Sequence, residues 1–277
     1  MKHITFYTLF LLLAVSAGGQ NNLLPSEMEG EQRISHTAYT LSYNPQHNQP
    51  SWVAYLLTGK HAQGDLKRKD SFKADPLVTN GSATPDDYRS SGYDKGHLAP
   101  NADMNWDLTV QQECFYMSNM SPQTHAFNAG LWSRLESLVR DWAIAYDSIY
   151  VVTGPVLTEA TVKQCYAVIR NRVNGLCDTT WDCVTLIQTT APFEYIGKKH
   201  LVSVPEYFYK VVYCPSRGEA IGFLVPHENK KGLLQSWVVT VDDIEQVTGI
   251  DFFPELDDEL EDRIESTACV ECWDWDR

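Results

Sequence analysis

Basic residues are scarce in this chain. Its 277 residues carry 22 Lys and Arg against 36 Asp and Glu, a formal net charge of −14. A balance this acidic argues against a protein held to a polyanion by a broad positive field. The excess is regional, however. Residues 242–277 hold fourteen Asp and Glu and two Arg, a local −12 out of −14, which leaves −2 for everything before them. Long apolar runs are also missing after the first twenty residues, so no later stretch is expected to span a bilayer. There is no internal repeat and no composition break that demands two domains. Cysteine is limited to seven, and only Cys269 and Cys272 form a CxxC pair. Half of a zinc knuckle and a redox CxxC are both weak readings of that pair, since no second CxxC and no strand–helix context accompany it, and a plain structural bridge is its simplest use.

The first residues differ from the rest. Lys2 and His3 precede an apolar run, residues 4–15, and then Ser16, Ala17, Gly18 and Gly19. A charged start, a short apolar core and small residues form the pattern of a secretory signal peptide. On this reading the mature protein is exported, to the periplasm or the outside, with no lasting membrane association. Oxidising compartments permit disulfides, and Cys177 and Cys183, flanking a polar stretch, are candidates to close a small loop. The odd count leaves at least one thiol unpaired. The expected organisation is a signal at 1–19, a polar extended arm at 20–50, a catalytic domain at 51–256 and a solvated acidic tail at 257–277.

Short apolar, β-prone segments predict strands at 51–57, 115–119, 148–154, 209–213 and 220–225, the last two neighbours across 215–218. A helix is predicted over 128–146, because Leu131, Trp132, Leu135, Leu138, Val139 and Trp142 recur at three- and four-residue spacing. Asp242 is expected to open a second helix, with Glu245 completing a capping box and Gly249 ending it. The fold class predicted is α+β, a mixed or antiparallel sheet flanked by helices.

Two blocks concentrate reactive side chains. One is Asp94-Lys95-Gly96-His97-Leu98-Ala99-Pro100, leading to Asp103, and the other runs from Asn119 to Arg140. On a helical wheel with Asn128 at zero, Glu136 and Arg140 fall at about 80° and 120°, on one edge of the apolar stripe. Asn128 alone would be read as a helix N-cap, and Glu136–Arg140 as an i,i+4 surface pair. Lys60, Lys67, Arg68, Lys69 and Lys73 form a basic loop, with Arg68 the best candidate to face a phosphate.

The first block, with Asn119, Asn128 and Glu136 downstream, closely resembles the DNA/RNA non-specific endonucleases of the ββα-metal superfamily. The similarity runs from 52–55, through 68–75, to 204–210 and 248–254. Lys95 departs from it, since relatives often carry Arg there, and lysine lacks the bidentate fork. The resemblance implies a ββα-metal finger carrying the active site. It implies His97 as general base, acting at neutral pH from a usual pKa near ~6.5. Asn128 becomes the direct ligand of Mg²⁺, with Mn²⁺ able to substitute, and Glu136 acts through metal-bound water. Arg140, Arg68 and Lys95 contact phosphate, Asn119 orients His97, and Asp94 and Asp103 are scaffolding. DNA and RNA are the expected substrates.

The rivals are weaker. His97 and Asp103 as ligands of another metal hydrolase lack further His or Cys at ligand spacing. Cys114 as the nucleophile of a thiol protease is disfavoured in an exported chain. A catalytically silent nucleic-acid-binding protein on the same fold would be expected to lack His97, Asn128 or Glu136, and all three are present.

Overall fold

A computed structural model describes residues 23–158, 161–173, 176–188 and 193–275, with the backbone alone for 161–188. The expected signal at 1–19 lies outside the described residues, as do the side chains of Cys177 and Cys183.

The frame is a seven-stranded antiparallel sheet. Its members are β1 (Gln32–Ser35), β2 (Thr40–Asn44), β3 (Gln49–Thr58), β6 (Ser148–Pro155), β11 (Tyr207–Cys214), β12 (Glu219–Pro226) and β13 (Val238–Val239), side by side in that order. Two-stranded ladders join β4 (Asp94–His97) to β5 (Met120–Gln123), β7 (Thr161–Val173) to β8 (Leu176–Gln188), and β9 (Glu194–Ile196) to β10 (Val202–Val204). Short helices α1 (Pro85–Tyr88), α2 (Asn101–Met104) and α3 (Leu108–Glu113) lie in the connections around β4.

Alternation at period two gives the sheet two apolar faces. On one, Val53, Tyr55, Ile149, Val151, Phe208, Val212 and Phe223 pack under the long helix. On the other, Trp52, Ala54, Tyr150, Val152, Tyr209 and Val211 meet α6 (Val241–Thr248) and α7 (Asp258–Glu265). The α+β fold is as expected, and the strands predicted at 148–154, 209–213 and 220–225 are all present.

Four expectations change. The polar arm 20–50 carries β1, β2 and the start of β3, because Ile34, Leu41 and Tyr43 alternate into the core. The stretch 115–119 is not a strand; a 3₁₀ turn, Met117–Asn119, precedes β5. α6 is capped by Thr240, whose side chain accepts from the Asp243 N–H while the Asp243 carboxylate accepts from the Thr240 N–H. Asp242 is thus inside the helix, and Gly249 ends it in the left-handed region at φ 69°. Finally, the acidic tail is not merely solvated. Ile264 and Trp273 are buried, and the Trp142 indole N–H donates to the Asp274 carbonyl at 2.5 Å. Cys269 and Cys272 are bridged, and the thiols of Cys114 and Cys214 are buried and free. No helix among the described residues is long and apolar enough to cross a membrane.

Candidate active site

The site is built on a hairpin followed by a helix. In β4–β5, Asp94 pairs with Gln123, Gly96 with Ser121 and His97 with Met120. Gly96 is required by close approach: a Cβ there would come within 2.2 Å of the buried Gln123 side chain. The chain then enters α4 (His125–Phe127), passes through a π-helical stretch, Asn128–Trp132, and continues as α5 (Ser133–Tyr146). Asn128 is therefore not the N-cap. Thr124 is, its hydroxyl accepting from the Phe127 N–H. The Thr124 N–H in turn donates to Nε2 of His227, whose Nδ1 meets the Pro205 carbonyl at 2.8 Å. A carbonyl can only accept, so His227 is the neutral Nδ1–H tautomer, a fixed peg under the helix start.

The π stretch matters because it changes the phase between Asn128 and α5. The wheel drawn at about 100° per residue holds for Glu136 and Arg140, both in α5, but not back to Asn128. What fixes Asn128 is a partner from the hairpin. Its Nδ2 donates to Oδ2 of Asp94 at 3.0 Å, and the same oxygen meets Nδ1 of His125 at 2.9 Å.

His97 sits between two aromatic rings. Phe115 meets it edge-on at 5.0 Å and Phe72 lies tilted at 5.6 Å. Each ring carries a cation: the Arg68 guanidinium is 5.4 Å from the Phe115 centroid, and Lys95 Nζ is 4.7 Å from that of Phe72. His97 is 8% exposed, and its Nε2 is buried with no hydrogen-bond partner among the described residues. Burial first, and then Arg68 and Lys95, pull its pKa down to about 3. The usual histidine value expected from sequence does not hold in this setting.

Asn119 does not reach the ring. Its Oδ1 accepts from the Ala99 N–H, and its Nδ2 donates to the carbonyls of Ala99 and Cys114. It holds the backbone just beyond His97 and has no amide atom left over for chemistry. The Trp132 indole N–H donates to the His97 carbonyl at 3.2 Å, tying the π stretch to β4.

Behind this lies a charged group on the helix-facing side of the sheet. Arg140 donates to Oδ1 of Asp103 at 3.0 Å, and the Tyr55 hydroxyl donates to Oδ2. Fully buried Lys210, paired with Thr153 in the sheet, places Nζ 4.7 Å from the Trp132 ring centroid and has no hydrogen bond among the described residues. Burial lowers the Lys210 pKa, opposed by Glu136 and Asp103. Burial raises that of Glu136, with Lys210 the main opposing charge. Lys210 had no role assigned from sequence. The available signal was a lone charge among apolar residues at an inward position of a strand.

Two rivals end here. Asp103 is 1% exposed and already held by Tyr55 and Arg140, which leaves it poorly placed as a ligand. Burial pushes the Cys114 thiol up to about 12, so it supplies no thiolate nucleophile.

The model of one family, DNA/RNA non-specific endonuclease, matches residues 19–259. The chain belongs to the DNA/RNA non-specific endonuclease family. Among relatives of this endonuclease family, mitochondrial nuclease EXOG of Xenopus laevis is 32% identical over 238 residues, covering 83% of this chain and 59% of that protein. Mitochondrial endonuclease G of Bos taurus is 28% identical, covering 88% of this chain and 76% of that protein. Nuclease C1 of Cunninghamella echinulata var. echinulata is 30% identical, covering 86% and 89%. The chain spans about six-tenths of the length of the EXOG proteins it matches. In three dimensions it is similar to the crystal structure of the EndoG/EndoGI complex, with a TM-score of 0.70 at 26% identity, covering 90% of this chain and 93% of that one. The expectation of export to the periplasm or outside is overturned by these relatives. EXOG and endonuclease G are mitochondrial nucleases rather than exported ones.

Proposed function

We propose that this endonuclease-family chain hydrolyses phosphodiester bonds of both DNA and RNA with a divalent cation, Mg²⁺ for preference. The observation that carries this reading is that one hairpin–helix unit holds a neutral histidine, a lysine over one of its flanking rings, an amide oriented by a carboxylate and a partly buried glutamate, with Arg68 reaching the other ring from the preceding loop.

The donor set fits a hard cation. A carboxylate only accepts, so Asp94 must face the Nδ2 of Asn128, which turns the amide Oδ1 away as an oxygen donor. Asn128 would hold the cation directly, and Glu136 through its water shell. Once bound, the cation would stabilise negative charge on the phosphate and the departing oxygen. Arg68 and Lys95 would dock the phosphate over their rings, and that anion would offset the charges that depress His97. The His97 imidazole, neutral before substrate arrives, would accept the proton of the attacking water. Arg140, held by Asp103, would face the developing charge.

The test uses supercoiled plasmid and structured RNA, each with Mg²⁺ and then with EDTA. Cutting of both that stops with chelation is expected. Intact substrates under all conditions would remove the proposal.

A further inference from the structure

We propose that Asp242, Glu245 and Glu265 form a second cation site of calcium type that clamps α7 to α6, on the face of the sheet opposite His97. One carboxylate oxygen from each lies within 4.8 Å of the others. Three protein carboxylates converging on one point suit Ca²⁺, which takes about six to eight oxygens in a flexible shell, better than Mg²⁺, which keeps several of its waters and demands a near-ideal octahedron.

An acidic cluster by itself would be solvated surface, but Glu265 is not at the surface. It is 6% exposed, and its Oε1 has no hydrogen-bond partner among the described residues. A buried, unpaired carboxylate is costly in its charged form and is relieved either by a proton or by a bound cation. The basic residue of α7, Arg263, does not supply one, because it points to the Gly218 carbonyl at 2.9 Å and to Glu219 at 3.7 Å. Asp251 and Glu261 add to the negative field. Burial and these neighbours push Glu265 up to about 9 and Glu245 up to about 7. Glu245 is positioned by the Phe252 N–H, which donates to its Oε1 at 2.7 Å. Exposed Asp242 gives an ion its way in. Glu265 also lies beyond residue 259, where the family match ends.

The experiment takes the full chain with Asn128→Ala, so that the catalytic cation does not contribute. It is freed of metal, then titrated with CaCl₂ or MgCl₂ by calorimetry and thermal melting. Calcium should bind at one site and raise Tm by ~5 °C or more at a hundredfold excess over Kd. The double change E245Q/E265Q should abolish the calcium response and leave the metal-free Tm equal or higher. Asp242→Asn, at an exposed position, should weaken calcium binding about tenfold or more. No calcium response, an equal response to magnesium, or a response that survives E245Q/E265Q would overturn the site. Should the double variant not fold, unchanged calcium affinity in Asp242→Asn overturns it.

Discussion

Asp94 and Asn128 orient each other across the hairpin–helix unit: the Asn128 amide donates to the Asp94 carboxylate at 3.0 Å. The same oxygen meets His125, so one carboxylate positions two side chains of the helix start. Asp94→Ala should free the amide to rotate and lower Mg²⁺ affinity by about 10–100-fold, with the fold intact. Cleavage rate against Mg²⁺ concentration, alongside circular dichroism, checks this. An unchanged metal requirement would mean that Asn128 needs no such support.

His97→Ala should reduce cleavage by about 10²–10⁴-fold while the protein still binds nucleic acid. In the wild type without metal, the ring should stay neutral well below its usual ~6.5, because burial and the two cations hold it near 3. Nitrogen NMR of the histidine rings between pH 7 and 5 reads this directly, and a His97 midpoint near 6.5 would refute it. The sign for stability follows. The unfolded chain binds this proton first, so the contribution is complete above ~6.5 and is lost as pH falls toward 3.

Glu136 predicts a different pH effect. Burial raises its pKa to about 7, while Lys210 opposes the rise. Only the ionised carboxylate helps hold a cation, so Mg²⁺ affinity should fall by up to about tenfold per pH unit below that value. Glu136→Gln should flatten the dependence. Lys210→Met should move its midpoint upward, since the main opposing positive charge is gone. Calorimetric Mg²⁺ titrations at several pH values test both, and a midpoint unmoved in Lys210→Met would remove Lys210 from this role.

Gly96→Ala places a methyl group against the buried Gln123 side chain, within 2.2 Å before relaxation. A loss of ~1–3 kcal/mol is expected from overpacking, with reduced activity as β4 moves away from β5. Urea denaturation measures the first and plasmid cleavage the second. Full stability and full activity together would show that Gln123 gives way freely.

Some of this was legible locally. β6 and β11 declare themselves because neighbouring residues alone generate their apolar character. α5 is legible for the same reason, its stripe recurring each turn. The start of the helix departs from the expected wheel, since a π stretch has no simple signature in residue type and breaks the phase between Asn128 and Glu136. The strands within 20–50 are concealed because the many polar residues there hide the alternation of Ile34, Leu41 and Tyr43.

The chemical inventory is written in the order of residues: His97, Asn128, Glu136 and the cations Arg68, Lys95 and Arg140, in an arrangement that points to one family. What each side chain faces is set by the folded core. Asp94 and Asn128 are 34 positions apart, and the charge that opposes the rise in the Glu136 pKa comes from Lys210, on a strand far along the chain. Covalent neighbours set the local backbone, but a carboxylate's partner and a histidine's burial depend on which distant strands the core brings together. The inventory was therefore readable in one dimension, while the pKa values, the amide orientation and the second acidic cluster needed three.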